Sequence, residues 1–274
     1  MKYKLIAIDM DGTLLNSDNE ISERNQSAIR VAVDKGIKVV LTTGRIYSSA
    51  LFYAKSLKIS TPIISCNGAY IAEHDKSNIL YESPISVDSI KDVIELAEKE
   101  NMHYHFYDDS TFYARELNET VLKYYNWNQK RDEMDRININ IIENPFEVVQ
   151  NEKPNVYKFV FVENDREKLI RFRKRLESIK NIEIASSWIN NVEVMNKGVS
   201  KGKALEELCK LFEINKEEVV AIGDNENDIS MLEFAGLSVA MGNGVENAKK
   251  ISCVVTDTND NDGVGIAIEK YVLA

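Results

Sequence analysis

Soft-metal and redox chemistry have little to work with in this chain, which holds three cysteines, Cys66, Cys209 and Cys253, scattered and without C-x-x-C spacing. An odd, unpatterned set suggests neither a disulfide framework nor a zinc site, so all three read as small buried hydrophobes or inert thiols. No apolar run approaches the roughly 20 residues needed to cross a bilayer. The start Met1-Lys2-Tyr3-Lys4-Leu5 also lacks an extended apolar signal region. A cytoplasmic protein with no membrane partner is expected. Positive charge is in deficit too: 34 Lys and Arg face 44 Asp and Glu, a formal net charge of -10. That balance disfavours a nucleic-acid partner. A phosphorylated ligand stays open, since one local cationic site is enough to hold it. Internal repeats and low-complexity stretches are lacking, and nothing in the pattern speaks to oligomeric state.

What is present is enough apolar content for a real core, 44% of 274 residues, in one large domain or two smaller ones. The most informative run is Leu5-Ile6-Ala7-Ile8-Asp9-Met10-Asp11-Gly12-Thr13. Four consecutive apolar residues with β-branched members read as a strand covered on both faces, as in parallel sheets, and Gly12 permits a sharp turn just beyond. Two carboxylates at the end of such a strand are costly unless a cation meets them. Strand carboxyl ends are also where open α/β sheets bind their ligands.

Up to about Glu82, strands such as Val39 to Thr43 and Pro62 to Cys66 alternate with helical segments, which signals parallel βαβ units. The first helix runs from Glu23 to Lys35, with Ser22 as its N-cap, Asn25 where a capping box prefers Glu or Gln, and Gly36 closing it. Between about Ser83 and Asn196 the texture changes. Aromatic-rich strands (103 to 107, 111 to 114, 156 to 162) mix with charged helices around Ile90 to Lys99 and Arg166 to Ser178, which reads as an α+β insert with its own small core. After Gly198 the earlier rhythm returns, with a helix over Lys201 to Phe212, strands at Val219 to Ile222 and Leu237 to Ala240, and a closing helix through Ile268. The expected architecture is a discontinuous α/β core, 1-82 and 197-274, interrupted by a second unit, 83-196.

Four polar clusters fall at strand ends or a helix start of the α/β part: Asp9-Met10-Asp11-Gly12-Thr13, Thr42-Thr43-Gly44-Arg45, Ser200-Lys201-Gly202 and Gly223-Asp224-Asn225-Glu226-Asn227-Asp228. The candidate site residues among them include four carboxylates (Asp9, Asp11, Asp224, Asp228), a hydroxyl (Thr43) and an ammonium (Lys201). Hard oxygen ligands with no His or Cys beside them favour Mg²⁺ over zinc, and Mg²⁺ combines one or two carboxylates with water and substrate phosphate. Each cluster alone is a common polar turn. Their order and placement together point to a Mg²⁺ and phosphate site.

These clusters resemble the haloacid dehalogenase superfamily: D-x-D-G-T at the first strand, Ser or Thr at the second, a later Lys, and G-D-x-x-N-D near the end. Thr43-Gly44-Arg45, Asn67-Gly68-Ala69 and Gly198-Val199-Ser200-Lys201-Gly202 look like its Cof-like branch, and the likeness spans nearly the whole chain. It implies a Rossmann-like, doubly wound parallel core carrying an inserted type IIB α+β cap, and a phosphatase acting on a small phosphorylated metabolite. Spacing places the cap as well, since Thr13 and Leu41 are only about 28 residues apart whereas Thr43 and Lys201 are about 158 apart. The resemblance implies Asp9 as nucleophile and Asp11 as general acid and base. Mg²⁺ would sit on the side chains of Asp9 and Asp224 and the backbone carbonyl of Asp11, with Asp228 in support. Thr43 and Lys201 would hold the phosphoryl oxygens, and Gly12, Gly44, Arg45, Asn67 and Asn227 would lie around the phosphate.

Other features are weaker. Gly198 to Lys203 lacks P-loop spacing, Gly242-Asn243-Gly244 is too short for a dinucleotide fingerprint, and Thr258 to Glu269 departs from a calcium loop at Thr258 and Gly265. His103, His105 and Tyr107 share a strand face, open between cap core, solvent and substrate wall. Tyr124, Tyr125 and Trp127 read as cap packing. Two rivals remain beside a phosphatase: a phosphomutase of the same superfamily, and a phosphoacceptor switch built on Asp, Mg²⁺, Thr and Lys. An acceptor switch would carry an adjacent acidic pair and no large insert.

Overall fold

The computed structural model describes residues 2–274. Its central sheet has five parallel strands in the order β14 (Val254–Val255), β13 (Leu237–Ala240), β12 (Val219–Gly223), β1 (Leu5–Ile8) and β2 (Lys38–Leu41). All four residues of β1 are buried, and they divide by the two-residue period of a strand. Ile6 and Ile8 enter one apolar cluster with Ile29 and Ala32 of α1 (Glu23–Asp34) and with Val264 and Ile268 of α10 (Gly263–Tyr271). Leu5 and Ala7 enter another with Leu205 and Leu208 of α7 (Lys201–Leu211) and Met231 of α8 (Ile229–Phe234). Helices thus cover both faces, each buried Leu or Ile contributing roughly 1.5–3 kcal/mol. This is a mixed α/β fold with a parallel core, as its covered strands require.

The first helix begins as its cap dictates: the Ser22 side chain accepts from the Asn25 N–H, and Gly36 follows the last turn with φ +84°. Asn25 completes no capping box. Its buried amide oxygen instead accepts from the Gly265 N–H at 2.7 Å, tying α1 to α10.

The expectation of parallel units up to Glu82 holds only in part. From β2 the chain runs through α2 (Tyr47–Leu57) to β3 (Ile63–Ser65), joined to the core by one parallel bridge, Thr42 to Ile64. β3 then pairs antiparallel with β4 (Tyr70–Ala72), and β4 with β5 (Ile79–Glu82). The connections Cys66–Ala69 and Glu73–Asn78 are too short for a crossover helix, which a parallel return requires.

Above the carboxyl ends of the core strands lies a six-stranded sheet. Its order is β10 (Ile182–Ala185), β11 (Asn191–Asn196), β9 (Lys158–Val162), β6 (His103–Tyr107), β7 (Thr111–Ala114) and β8 (Asn138–Ile141), antiparallel except between β7 and β8. One face packs Tyr104, Phe106, Phe159, Phe161 and Val194 against α3 (Val87–Lys99), α5 (Pro145–Asn151) and α6 (Arg166–Leu176). The opposite face presents His105, Tyr107, Lys158, Val160 and Glu193 toward the core, flanked by α4 (Glu119–Gln129). Before β14 the chain adds α9 (Glu246–Ile251). One thiol departs from expectation: Cys253 is exposed in the turn leading to β14, while Cys66 and Cys209 are buried.

Candidate active site

β1 ends at Ile8 and delivers Asp9 to the tip of the sheet, where its N–H bonds Ile222 O of β12. The turn that follows requires Gly12, which takes φ +78°; a Cβ there would lie 2.6 Å from Asp224 Oδ2. The second carboxylate group arrives from β12, whose closing turn is organised by Asp228. Its Oδ2 accepts the N–H groups of Asp224 and Asn225 at 2.9 and 3.0 Å. α7 begins at Lys201, capped by Ser200, and sends its ammonium beneath these groups. Lys201 Nζ donates to Asp9 Oδ1 at 2.5 Å and to Asp228 Oδ1 at 2.6 Å, with none of its side chain exposed. Asp9, Asp224, Asp228 and Lys201, about 220 residues apart at their extremes, therefore meet in one buried volume.

One buried cation does not balance three buried carboxylates. Burial first, then the charge of Asp228, pushes the Asp9 carboxyl well above its usual range, and the same two causes raise Asp224. Burial opposes the charge of Lys201, but Asp228 and Asp9 more than offset it and hold the ammonium protonated. A divalent cation would remove the remaining repulsion, and carboxylate oxygens from all three aspartates lie within 4.8 Å of one another. With only hard oxygen donors present, the set fits Mg²⁺.

Asp11 stands apart from that cluster. Its carboxylate forms a fork with Arg45, Nη2 to Oδ1 at 2.5 Å and Nε to Oδ2 at 2.8 Å. Burial alone would raise Asp11, yet the charge and hydrogen bonds of Arg45 hold it below the usual carboxylate range. Thr43 is fully buried, its hydroxyl accepting the Arg45 N–H at 3.1 Å. Asn67 and Asn227 bond each other, Nδ2 of Asn227 to Oδ1 of Asn67 at 3.1 Å. All eleven residues picked out by motif thus lie at the carboxyl end of the core sheet. Arg45, Asn67 and Asn227 are engaged by protein partners there.

Between this centre and the cap sheet is a cavity of about 890 Å³, within the range of small-molecule sites. Asp11, Gly12, Gly44 and Arg45 line its floor; His105, Tyr107, Tyr124, Trp127 and Lys158 line the other side. Of the histidine face, His105 and Tyr107 are buried cavity wall, while His103 is exposed and pairs with Glu116. Tyr124 and Trp127 do pack, against Phe112 and Phe52, but they line the cavity as well; Tyr125 is exposed. Sequence reasoning missed several contributors. The Thr13 hydroxyl donates to Asp224 Oδ1 at 2.9 Å, and Asn243 of the dismissed glycine pair donates to Gly12 O at 2.8 Å. Thr13 had a signal in its motif, whereas Asn243 and the cap residues Lys158 and Glu193 had none.

A parallel sheet with helices on both faces, two acidic turns and one buried lysine at its carboxyl end, and a cap above them define a hydrolase of the phosphate-ester class. The chain belongs to the haloacid dehalogenase-like hydrolases, whose family pattern matches residues 6–268, and to the Cof-type phosphatases among them. It is 37% identical over 281 aligned positions to Phosphatase YwpJ of Bacillus subtilis (strain 168), covering 95% of this chain and 97% of that protein. To the 5-amino-6-(5-phospho-D-ribitylamino)uracil phosphatase YcsE of the same organism it is 35% identical over 270 positions, covering 98% and 96%. A solved haloacid dehalogenase-like hydrolase from B. subtilis superposes with a TM-score of 0.88 at 33% identity, covering 98% of this chain and 100% of that one. Among the described residues no helix is long and apolar enough to cross a membrane.

Proposed function

We propose that this chain is a Mg²⁺-dependent phosphomonoesterase that hydrolyses a small phosphorylated metabolite through an aspartyl phosphate on Asp9. The observation that carries the reading is the buried cluster in which Lys201 bridges Asp9 and Asp228 beside Asp224. Lys201 donates to Asp9 Oδ1 and orients the carboxylate, one oxygen of which would take the metal while the other attacks. Attack on phosphorus forms the Asp9–phosphorus bond and breaks the ester bond, and water then cleaves the intermediate, dividing one difficult displacement into two. Lys201 and Thr43 stabilise charge on the phosphoryl oxygens, and fixed in-line geometry is most of what phosphoryl transfer asks of a protein.

Asp11 donates a proton to the leaving oxygen and later takes one from water. In the substrate-free arrangement its carboxylate is held ionised by Arg45, so its first task requires Arg45 to turn toward the incoming phosphate and release it. Asp9 and Asp224, with Asp228 behind them and the Asp11 backbone carbonyl, are the groups that would hold Mg²⁺. When bound, the ion supplies positive charge that lets the carboxylates and a phosphate dianion share the site.

Residues 1-82 and 197-274 serve as catalytic core and 83-196 as the cap that excludes water and reads the leaving group. The cavity volume and its aromatic wall support a metabolite rather than a macromolecule, as does the small phosphate ester in the name of YcsE. The test is phosphate release over a panel of sugar, nucleotide and cofactor phosphates with Mg²⁺, using Asp9→Asn as the blank. Release that persists in Asp9→Asn, or that ignores chelation, would overturn the reading. Isomerisation of hexose phosphates without phosphate release would favour the mutase.

A further inference from the structure

We propose that Lys158 is a catalytic cation supplied by the cap, its ammonium holding the transferring phosphoryl oxygens so that the phosphate pocket is complete only when the cap is seated. The inference rests on the phosphatase reading above and extends it to a residue on the opposite unit. Lys158 begins β9, and only 2% of its side chain is exposed. An ammonium has three donors, and among the described residues Lys158 Nζ meets one acceptor, Glu193 Oε1 at 2.6 Å. The ring of Tyr107 covers another side, 5.5 Å from the nitrogen to its centroid. The side chain lines the cavity, so a buried ammonium with unfilled donors is presented to whatever enters.

Its position fits the reacting group rather than a distant part of a substrate. A Cβ built on Gly44 would come within 3.0 Å of Lys158 Nζ, so the ammonium rests on the backbone next to Thr43. Gly44 is needed for that approach. The Tyr107 hydroxyl donates to Gly44 O at 2.9 Å and pins β6, on which Tyr107 lies directly opposite Lys158 of β9, to the same spot. The charge of Lys158 also reaches Asp11, which it helps to keep ionised.

The partner carboxylate ties the lysine to the core. Glu193 Oε2 accepts from Asn67 Nδ2 at 2.6 Å and Oε1 from the Ser187 hydroxyl at 3.0 Å. Asn67 in turn receives Asn227, in the turn that carries Asp228. Lys158, Glu193, Asn67 and Asn227 form one chain of contacts from cap to core, and its cap half leaves with the cap. As structural glue alone this is a poor choice, since two charges removed from water are commonly no better than an apolar pair of the same volume.

That comparison supplies the experiment. Lys158→Met alone strands Glu193 as a buried unpaired charge and risks misfolding, so the decisive variant is Lys158→Met with Glu193→Gln, which removes both charges and keeps an acceptor for Asn67. The double variant, with a melting temperature near that of the native protein, is expected to lose about 10²-fold in kcat/KM with Mg²⁺ present. The loss should be equal for p-nitrophenyl phosphate and glycerol phosphate, because the contact is with the group they share. Lys158→Arg should recover at least about tenfold of it, by keeping the charge. A double variant within about threefold of wild type would make the pair structural and overturn the proposal. So would a loss confined to glycerol phosphate, which would move Lys158 to the leaving group. No phosphate release by the wild type from any ester would instead fell the phosphatase reading itself.

Discussion

Asp9 and Asp11 are two positions apart in the chain and sit in opposite electrostatic settings. Burial and the Asp228 charge raise the first, while Arg45 lowers the second against its own burial. Those opposite settings are made by the neighbours that tertiary structure brings to each carboxylate, Asp228 beside Asp9 and Arg45 beside Asp11. Asp11→Asn is therefore expected to cripple alkyl phosphate turnover while affecting p-nitrophenyl phosphate much less, since p-nitrophenolate leaves without a proton. Parallel kcat measurements on both substrates check this, and equal losses would remove Asp11 from proton transfer. Thr13 acts through Asp224, which its hydroxyl orients. Thr13→Val should raise the Mg²⁺ concentration needed for half-maximal activity by about 10- to 100-fold, with saturating Mg²⁺ restoring most of the rate. A Mg²⁺ titration of phosphate release reads it directly.

At the scale of elements, the start of α7 is set by how closely it approaches α8. A Cβ on Gly202 would lie 2.2 Å from the Ser230 backbone oxygen, a contact that no side-chain rotation relieves. Gly202→Ala should therefore cost about 1–3 kcal/mol in urea unfolding. It should also reduce activity, because the same turn aims Lys201 at Asp9 and Asp228. Strand β6 carries a different constraint. His105 is stacked on Phe112 with centroids 4.3 Å apart, and burial, aided by the charge of Lys158, pushes its imidazole down to about 3. The unfolded chain takes up this proton below about pH 6.5, whereas the folded protein resists it to about pH 3. The stability contributed by neutral His105 is thus complete above about pH 6.5 and is lost progressively as the pH falls toward 3. Calorimetric melting of wild type and His105→Phe should show the wild type losing ground to the variant between about pH 7 and pH 4.5. A constant gap would mean that the imidazole titrates in the folded protein as it does in the unfolded chain.

Over the whole molecule, the cap meets the core through polar contacts as much as apolar ones. Arg173 forks onto Glu226 at 2.5 and 3.2 Å, Lys55 meets Asp135 at 2.6 Å, and Lys76 pairs with Asp109. Asn225 adds a bond to Ser187 O at 2.8 Å, and Phe52 with Trp127 and Tyr70 with Tyr157 supply aromatic touches between cap and core. The three ion pairs are partly exposed, and pairs of that kind contribute little individually and are screened by salt. Raising ionic strength from about 0.05 to 0.5 M should therefore favour the open cap while the core stays folded. Small-angle scattering should show a larger radius of gyration at unchanged melting temperature, and Arg173→Gln should show the expanded value already at low salt. An unchanged radius in both would mean that the buried polar and apolar contacts hold the cap shut without the ion pairs.

Leu5 to Asp9, the Ser22 cap and the strand at Leu237 to Ala240 were readable because local rules decide them: a doubly covered strand is apolar throughout, and a capping oxygen is needed three residues before the N–H it accepts. The positions of the eleven motif residues were readable for a related reason, since they fall in turns or at the boundaries of elements. The sequence alone therefore determined the class of core and the carboxylates at the strand ends. Tertiary structure decided which of those residues touch. It turned Asp11 to Arg45 and away from the Lys201 cluster, folded residues 63–82 back as an antiparallel meander, and placed Lys158 and Glu193 against Gly44 and Asn67. Those pairings join residues 34 to 126 positions apart across two sheets. Their energy comes from burial and charge in a shared volume, and no periodicity along the chain encodes which distant group fills it.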